Sequence, residues 1–216
     1  MIKLVIFYLD GTLLDSIADL AASMNYALEQ FGFPVHELPA YRYFVGNGIT
    51  KLTERTLPED ERTEKRIAEV RAFFVDYYQR HKTDFTCPYP GIQELLKKLK
   101  QQGIVMAVAS NKFDEATKML VHHYFGVELF SIILGQREGV PVKPDPAIVT
   151  EIIERIKVER EQVLYVGDSG VDMQTARNAG VCGIGVTWGF RPKQELLQNG
   201  ASDIVEQPLE ILQFID

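Results

Sequence analysis

Ile2-Lys3-Leu4-Val5-Ile6-Phe7-Tyr8-Leu9-Asp10-Gly11-Thr12-Leu13-Leu14-Asp15-Ser16 is the stretch that decides how this chain folds. Residues 2–9 form a continuous apolar run, broken only by Lys3, rather than an alternating one. That pattern belongs to a strand covered on both faces, as in a parallel sheet. Tyr8 and Asp10 are two apart at its end, so on an extended backbone their side chains leave on the same side. Gly11 and Thr12 then turn the chain, and backbone N–H groups exposed in such a turn can bind phosphate oxygens.

Working outward, the same kind of run recurs at 103–109, 131–135, 162–166 and 182–187. Helical patterns lie between the runs. Ile92, Leu95, Leu96 and Leu99 share one face of a helix over 92–102, with Gly103 placed to stop it. Helices over 146–157 and 169–179 continue the rhythm. Strands alternating with helices predict an α/β fold with a doubly wound, Rossmann-like parallel sheet, whose ligand site lies at the carboxyl ends of the central strands.

Residues 16–85 break the rhythm. They carry helix-period patterns, such as 17–31 and 61–81, and no convincing strand. Seventy residues exceed any ordinary crossover. They read as an inserted helical cap domain, leaving 1–15 and 86–216 as the core. Cys87-Pro88-Tyr89-Pro90-Gly91 would be a stiff hinge at the cap's exit.

The bulk properties narrow the function. The chain has 216 residues, 46% hydrophobic and 25% charged, enough for a full core. A net charge of -7 argues against a nonspecific nucleic-acid partner. No apolar stretch approaches the ~18 residues of a membrane span, and the first strand lacks a signal-peptide pattern. Cys87 and Cys182 match no metal or redox spacing, which predicts reduced thiols in a cytoplasmic protein.

Four motifs at successive strand ends carry the chemistry. Asp10-Gly11-Thr12 is the first. Ser110-Asn111-Lys112 ends the second strand, where a serine hydroxyl can donate to a phosphate oxygen. Lys143-Pro144-Asp145 places a compact positive charge just before a helix. Asp168-Ser169-Gly170-Val171-Asp172 puts two carboxylates across a strand-to-helix turn, where they could hold Mg2+. Taken alone, each has a plain alternative: a turn, a helix cap, a surface lysine, a first-turn acid. Together and in this order they favour a phosphatase-type scaffold, since phosphoryl transfer needs a nucleophile, an acid, cations and oriented donors.

The ordered set resembles the haloacid dehalogenase superfamily of phosphatases along essentially the whole chain. Tyr43-Phe44-Val45-Gly46-Asn47-Gly48-Ile49, Pro88-Tyr89-Pro90-Gly91 and Val186-Thr187-Trp188-Gly189-Phe190 resemble its phosphoglycolate phosphatase branch. The resemblance implies a Mg2+-dependent phosphatase of a small phosphate ester. Asp10 would be the general acid and base, with its carbonyl on the metal. Asp168 would be a Mg2+ ligand, with Asp172 supporting the metal. Gly11, Thr12, Ser110, Asn111 and Lys143 would bind the phosphoryl group, and Gly46, Asn47 and Gly48 would meet the substrate from the cap.

At position 8 the chain departs from that pattern. The family sequence is Asp-x-Asp-Gly-Thr-Leu and its first aspartate is the nucleophile; here the nucleophile position holds Tyr8. A phenol with a reference pKa near 10 is mostly protonated at neutral pH, so catalysis is expected to be impaired. Dehalogenases of the superfamily do the reverse, keeping the first aspartate and varying the second. Two other functions compete: a phosphate- and metal-binding protein without turnover, and a phosphonatase or mutase. The phosphonatase would need a Schiff-base lysine, for which Lys51 is the nearest candidate.

Overall fold

A computed structural model of the chain describes residues 1–215. In chain order it runs β1 (Leu4–Phe7), β2 (Leu14–Asp15), α1 (Ile17–Gln30), α2 (Leu38–Phe44), α3 (Ile49–Thr56), α4 (Glu64–His81) and β3 (Cys87–Pro88). It continues through α5 (Ile92–Gln101), β4 (Val105–Phe113), α6 (Asp114–Phe125), β5 (Ile132–Gln136) and α7 (Ala147–Ile156). The last elements are β6 (Val163–Gly167), α8 (Gly170–Ala179), β7 (Cys182–Val186), α9 (Lys193–Gln198) and β8 (Asp203–Val205). The chain divides into two compact units: Met1–Leu14 with the residues from Pro88 onward, and Asp15–Cys87. The chain crosses from one to the other at β2 and β3.

In the first unit, six parallel strands pair in the order β5-β4-β1-β6-β7-β8. The apolar run makes β1 central: Leu4 lies opposite Val105 on one side and Val163 on the other. Alternation along β1 then fills two cores. Val5 and Phe7 pack with Leu95, Leu99 and Ile211 on one face. Leu4 and Ile6 pack with Ile148, Val149, Ile152 and Ala176 on the opposite face. All four β1 side chains are fully buried. The winding reverses beside β1, which opens the crevice that such sheets use for ligands.

The helices end as their sequences dictate. Ile92, Leu95, Leu96 and Leu99 are the buried stripe of α5, and Gly103 beyond its end adopts φ +74°. Ser169 caps α8: its side chain accepts from the Asp172 N–H while Asp172 reaches back to the Ser169 N–H. Gly180 closes α8 in the left-handed conformation.

Three features depart from the sequence expectations. The second strand runs past the apolar run's end at 109 to Phe113, with a register irregularity between Ala109 and Phe113 that takes in the Ser110–Lys112 motif. A sixth strand, β8, was not expected; its three residues are too short for a periodic signal. Helices α6 and α9 also went unread. On α6 only Thr117, Leu120 and Val121 are buried, a stripe too narrow to show in sequence.

The second unit is helical. Leu20, Met24, Ala27 and Leu28 form the buried face of α1, and Val70, Phe74 and Tyr78, four apart, form that of α4. Tyr26 on α1 stacks on Tyr77 of α4 at 4.1 Å between ring centroids. Asp19 closes the neck of this unit. Its buried carboxylate accepts from the Phe85 N–H at 3.0 Å and the Thr86 N–H at 2.8 Å, and from the Thr86 hydroxyl at 2.6 Å.

Candidate active site at the carboxyl ends of β1, β4 and β6

The loop after β1 is tightly wound. The Leu9 carbonyl accepts from the N–H groups of Leu13 and Leu14, both at 3.0 Å. The two amides expected to face a phosphate are used inside it: Gly11 N–H donates to Leu14 O and Thr12 N–H to Leu9 O. The loop serves instead as a seat for Asp168. Gly11 has φ +86°, and a Cβ there would lie 2.3 Å from Asp168 Oδ2. Only glycine meets both demands. The Thr12 hydroxyl donates to Asp168 Oδ1 at 3.3 Å, and the Phe190 N–H to Oδ2 at 2.8 Å. Trp188 Nε1 donates to the Thr12 carbonyl at 3.0 Å, tying the chain after β7 to the same loop.

Lys143 is the centre of the site. Its ammonium is buried, 2.6 Å from Asp172 Oδ1 and 3.0 Å from the Tyr165 hydroxyl. It also lies 3.5 Å from the centre of the Tyr8 ring. Asn111 holds the Lys143 backbone at both ends of its amide: Oδ1 accepts from Lys143 N at 2.9 Å, and Nδ2 donates to Lys143 O at 3.2 Å. Asn111, read from sequence as a phosphate-binding residue, is therefore in contact with Lys143 as its anchor. Ser110 is fully buried and its oxygen accepts from the Lys112 N–H at 3.1 Å.

Asp172 is held by four hydrogen bonds. Oδ1 accepts from Lys143 and from the Tyr165 hydroxyl at 3.1 Å. Oδ2 accepts from the Ser169 N–H at 3.1 Å and the Ser169 hydroxyl at 2.6 Å. A carboxylate has about four acceptor positions, so Asp172 is saturated and acts as counter-ion to Lys143. Asp168 accepts two hydrogen bonds among the described residues, from the Thr12 hydroxyl and the Phe190 N–H, and keeps capacity for a cation. Among the described residues, no three His, Cys, Asp or Glu side chains gather into a metal-holding group. Mg2+ tolerates that shortage, because it commonly binds through one or two carboxylates and keeps several waters. The donors present fit a hydrated Mg2+ on Asp168, not a closed protein cage.

Electrostatics follow from burial. Desolvation, then the charge of Asp172, push the Asp168 carboxyl up to about 7, against the Phe190 N–H and Lys143, which favour its charged form. Burial, then the charges of Asp10, Asp172 and Asp168, raise the Tyr8 phenol well above its ordinary value. Burial lowers Lys143 and Asp172 opposes that shift. The phenol is thus held neutral, beside a lysine whose burial is offset in part by the charge of Asp172.

Two participants escaped the sequence reading. Lys112 Nζ pairs with Asp10 Oδ1 at 3.1 Å, both nearly out of solvent. Tyr165, in the middle of the apolar run of β6, turns its hydroxyl to Lys143 and Asp172. A tyrosine among Val, Leu and Val was the only signal.

In the helical unit, the loop 45–48 contains two positive-φ glycines, Gly46 and Gly48. Arg55 braces it, donating to Asn47 Oδ1 at 2.8 Å and to the Phe44 carbonyl at 3.0 Å. Lys51 is exposed and paired with Glu54 at 2.6 Å. A solvated, paired ammonium lacks the desolvation that activates a Schiff-base lysine. Cys87 and Cys182 are free thiols, and no helix among the described residues is long and apolar enough to cross a membrane.

Residues 5–186 match the family model of the haloacid dehalogenase-like hydrolases. A phosphoglycolate phosphatase of Pseudomonas savastanoi pv. phaseolicola is 33% identical over 209 residues, covering 94% of this chain and 76% of that protein. One from Vibrio parahaemolyticus is 30% identical, covering 99% and 96%. A crystal structure from Haemophilus somnus, described as a predicted phosphoglycolate phosphatase, superposes with TM-score 0.92 at 30% identity. It covers 100% of this chain and 98% of that one.

Proposed function

Because the chain belongs to the haloacid dehalogenase-like hydrolases, we propose that it is a phosphatase scaffold for a small phosphate ester such as phosphoglycolate, impaired at its nucleophile position. The observation that carries this reading is the cluster of Tyr8, Asp10, Lys143 and Asp168 at the carboxyl ends of the central strands, with a phenol where the family has a carboxylate. In this reading 16–85 is a cap, Gly46, Asn47 and Gly48 meet the substrate, and the protein works in the cytoplasm.

Each group then has a task. Asp10, oriented by Lys112, protonates the leaving oxygen and later activates water. Ser110 offers its hydroxyl proton to a phosphoryl oxygen, since its oxygen already accepts from Lys112. Lys143, held by Asn111 and Asp172, supplies positive charge. Asp168 and the Asp10 carbonyl would hold Mg2+, which supplies further charge neutralisation when bound. Tyr8 is the weak member: its protonated phenol is a poor nucleophile, and a phosphotyrosine lacks the reactivity of an aspartyl phosphate.

Tyr8→Asp tests the reading. With Mg2+ present, kcat on phosphoglycolate or p-nitrophenyl phosphate should rise by at least ~10³-fold, since one missing nucleophile disables the whole unit. Adding Asp10→Asn should remove the gain. A folded Tyr8→Asp protein that hydrolyses no phosphate ester in a broad panel would overturn the phosphatase reading.

A further inference from the structure

We infer that the Tyr8 ring is a plug: it occupies the oxyanion subsite at Lys143, so that phosphate binds there only when the ring is removed. An ammonium has three N–H donors. In this structure the Lys143 ammonium meets Asp172 Oδ1, the Tyr165 hydroxyl and the face of the Tyr8 ring. Asp172 and Tyr165 are fixed by their own bond at 3.1 Å and by Ser169. The direction covered by Tyr8 is the one left for an anion, and an aromatic face at 3.5 Å holds a desolvated cation by its quadrupole while excluding everything else. Lys112, the other buried ammonium of the cluster, is paired with Asp10.

The consequence goes beyond the missing nucleophile. A phosphatase that has merely lost its attacking group keeps its anion site and holds phosphate without turning it over. This chain loses both properties to one side chain, so a role as a phosphate-binding protein is closed to it in its present form. The inference rests on the phosphatase reading only in naming phosphate as the anion.

Phosphate titrations of the full chain without Mg2+, followed by calorimetry and 31P line width, test it. Tyr8→Phe should bind inorganic phosphate as weakly as the Tyr8 protein, because the ring is what blocks. Tyr8→Ala should bind roughly 10- to 100-fold more tightly, the worth of one charge-assisted hydrogen bond. Lys143→Met added to Tyr8→Ala should erase the gain. Tyr8→Asn, smaller but polar, provides the same comparison should the alanine protein not fold. Equal phosphate affinity in the Tyr8, Tyr8→Phe and Tyr8→Ala proteins overturns the plug, as does a gain that survives Lys143→Met. A gain in Tyr8→Ala alongside an inactive Tyr8→Asp protein would keep the plug and sink the phosphatase reading, so the two fail separately.

Discussion

Lys112 Nζ lies 3.1 Å from Asp10 Oδ1, with both side chains almost out of solvent. The pair links the β4 extension to the loop after β1, and it fixes the direction of the carboxylate assigned to acid–base work. Misplacing a catalytic group by about 1 Å can cost on the order of 10²-fold. In a Tyr8→Asp background, Lys112→Met should therefore lower kcat roughly 10- to 100-fold and leave KM nearly unchanged. Lys112→Arg should restore part of the loss. Steady-state kinetics would show this, and an equal change in KM would point to substrate binding instead.

The Lys143–Asp172 pair should respond asymmetrically to mutation. Removing one partner of a buried ion pair strands the other's charge, at roughly 3–5 kcal/mol. Lys143→Met should lower unfolding stability by about that much in denaturant titrations. Lys143→Met combined with Asp172→Leu should recover most of the loss. If the double variant is as unstable as the sum of the singles, the pair is not the source.

Asp168 should make stability depend on pH and on Mg2+. Its carboxyl is raised in the folded protein to about 7 from an ordinary value of 3.8. Between those values the folded state binds more protons than the unfolded one, so this contribution is present below about pH 4 and lost as pH rises through 7. Mg2+ on the charged carboxylate should raise Tm more at pH 8 than at pH 5.5, with proton release on binding near pH 7. Asp168→Asn should remove both the Mg2+ response and this part of the pH slope in thermal scans.

Asp19 should prove structural. Truncating it to alanine removes three hydrogen bonds at once, those accepted from the Phe85 N–H, the Thr86 N–H and the Thr86 hydroxyl. A loss of roughly 2–3 kcal/mol is expected, with faster proteolytic cleavage near residues 85–87. Asp19→Asn, which keeps one acceptor oxygen, should lose less.

The sequence by itself determined the scaffold. A continuous apolar run at 4–7 can be satisfied only by cover on both faces, which makes β1 central. The stripe 92, 95, 96 and 99 can face only one way. The order of the four motifs along alternating strands and helices then assigns them to one end of the sheet. It also marked Tyr8, because a motif exposes its own exception.

Tertiary structure decided which of those residues touch, and in what role. Periodicity within an element says which face is buried, not which strand lies alongside. The placement of β1 between β4 and β6 brings residues 8, 165 and 172 around the ammonium of Lys143, though they come from separate elements. That packing saturates Asp172, turns Asn111 into an anchor, recruits Lys112 and Tyr165, and lays the Tyr8 ring against Lys143. Each outcome depends on how many donors and acceptors meet within hydrogen-bond reach, a count that exists only once the chain has folded.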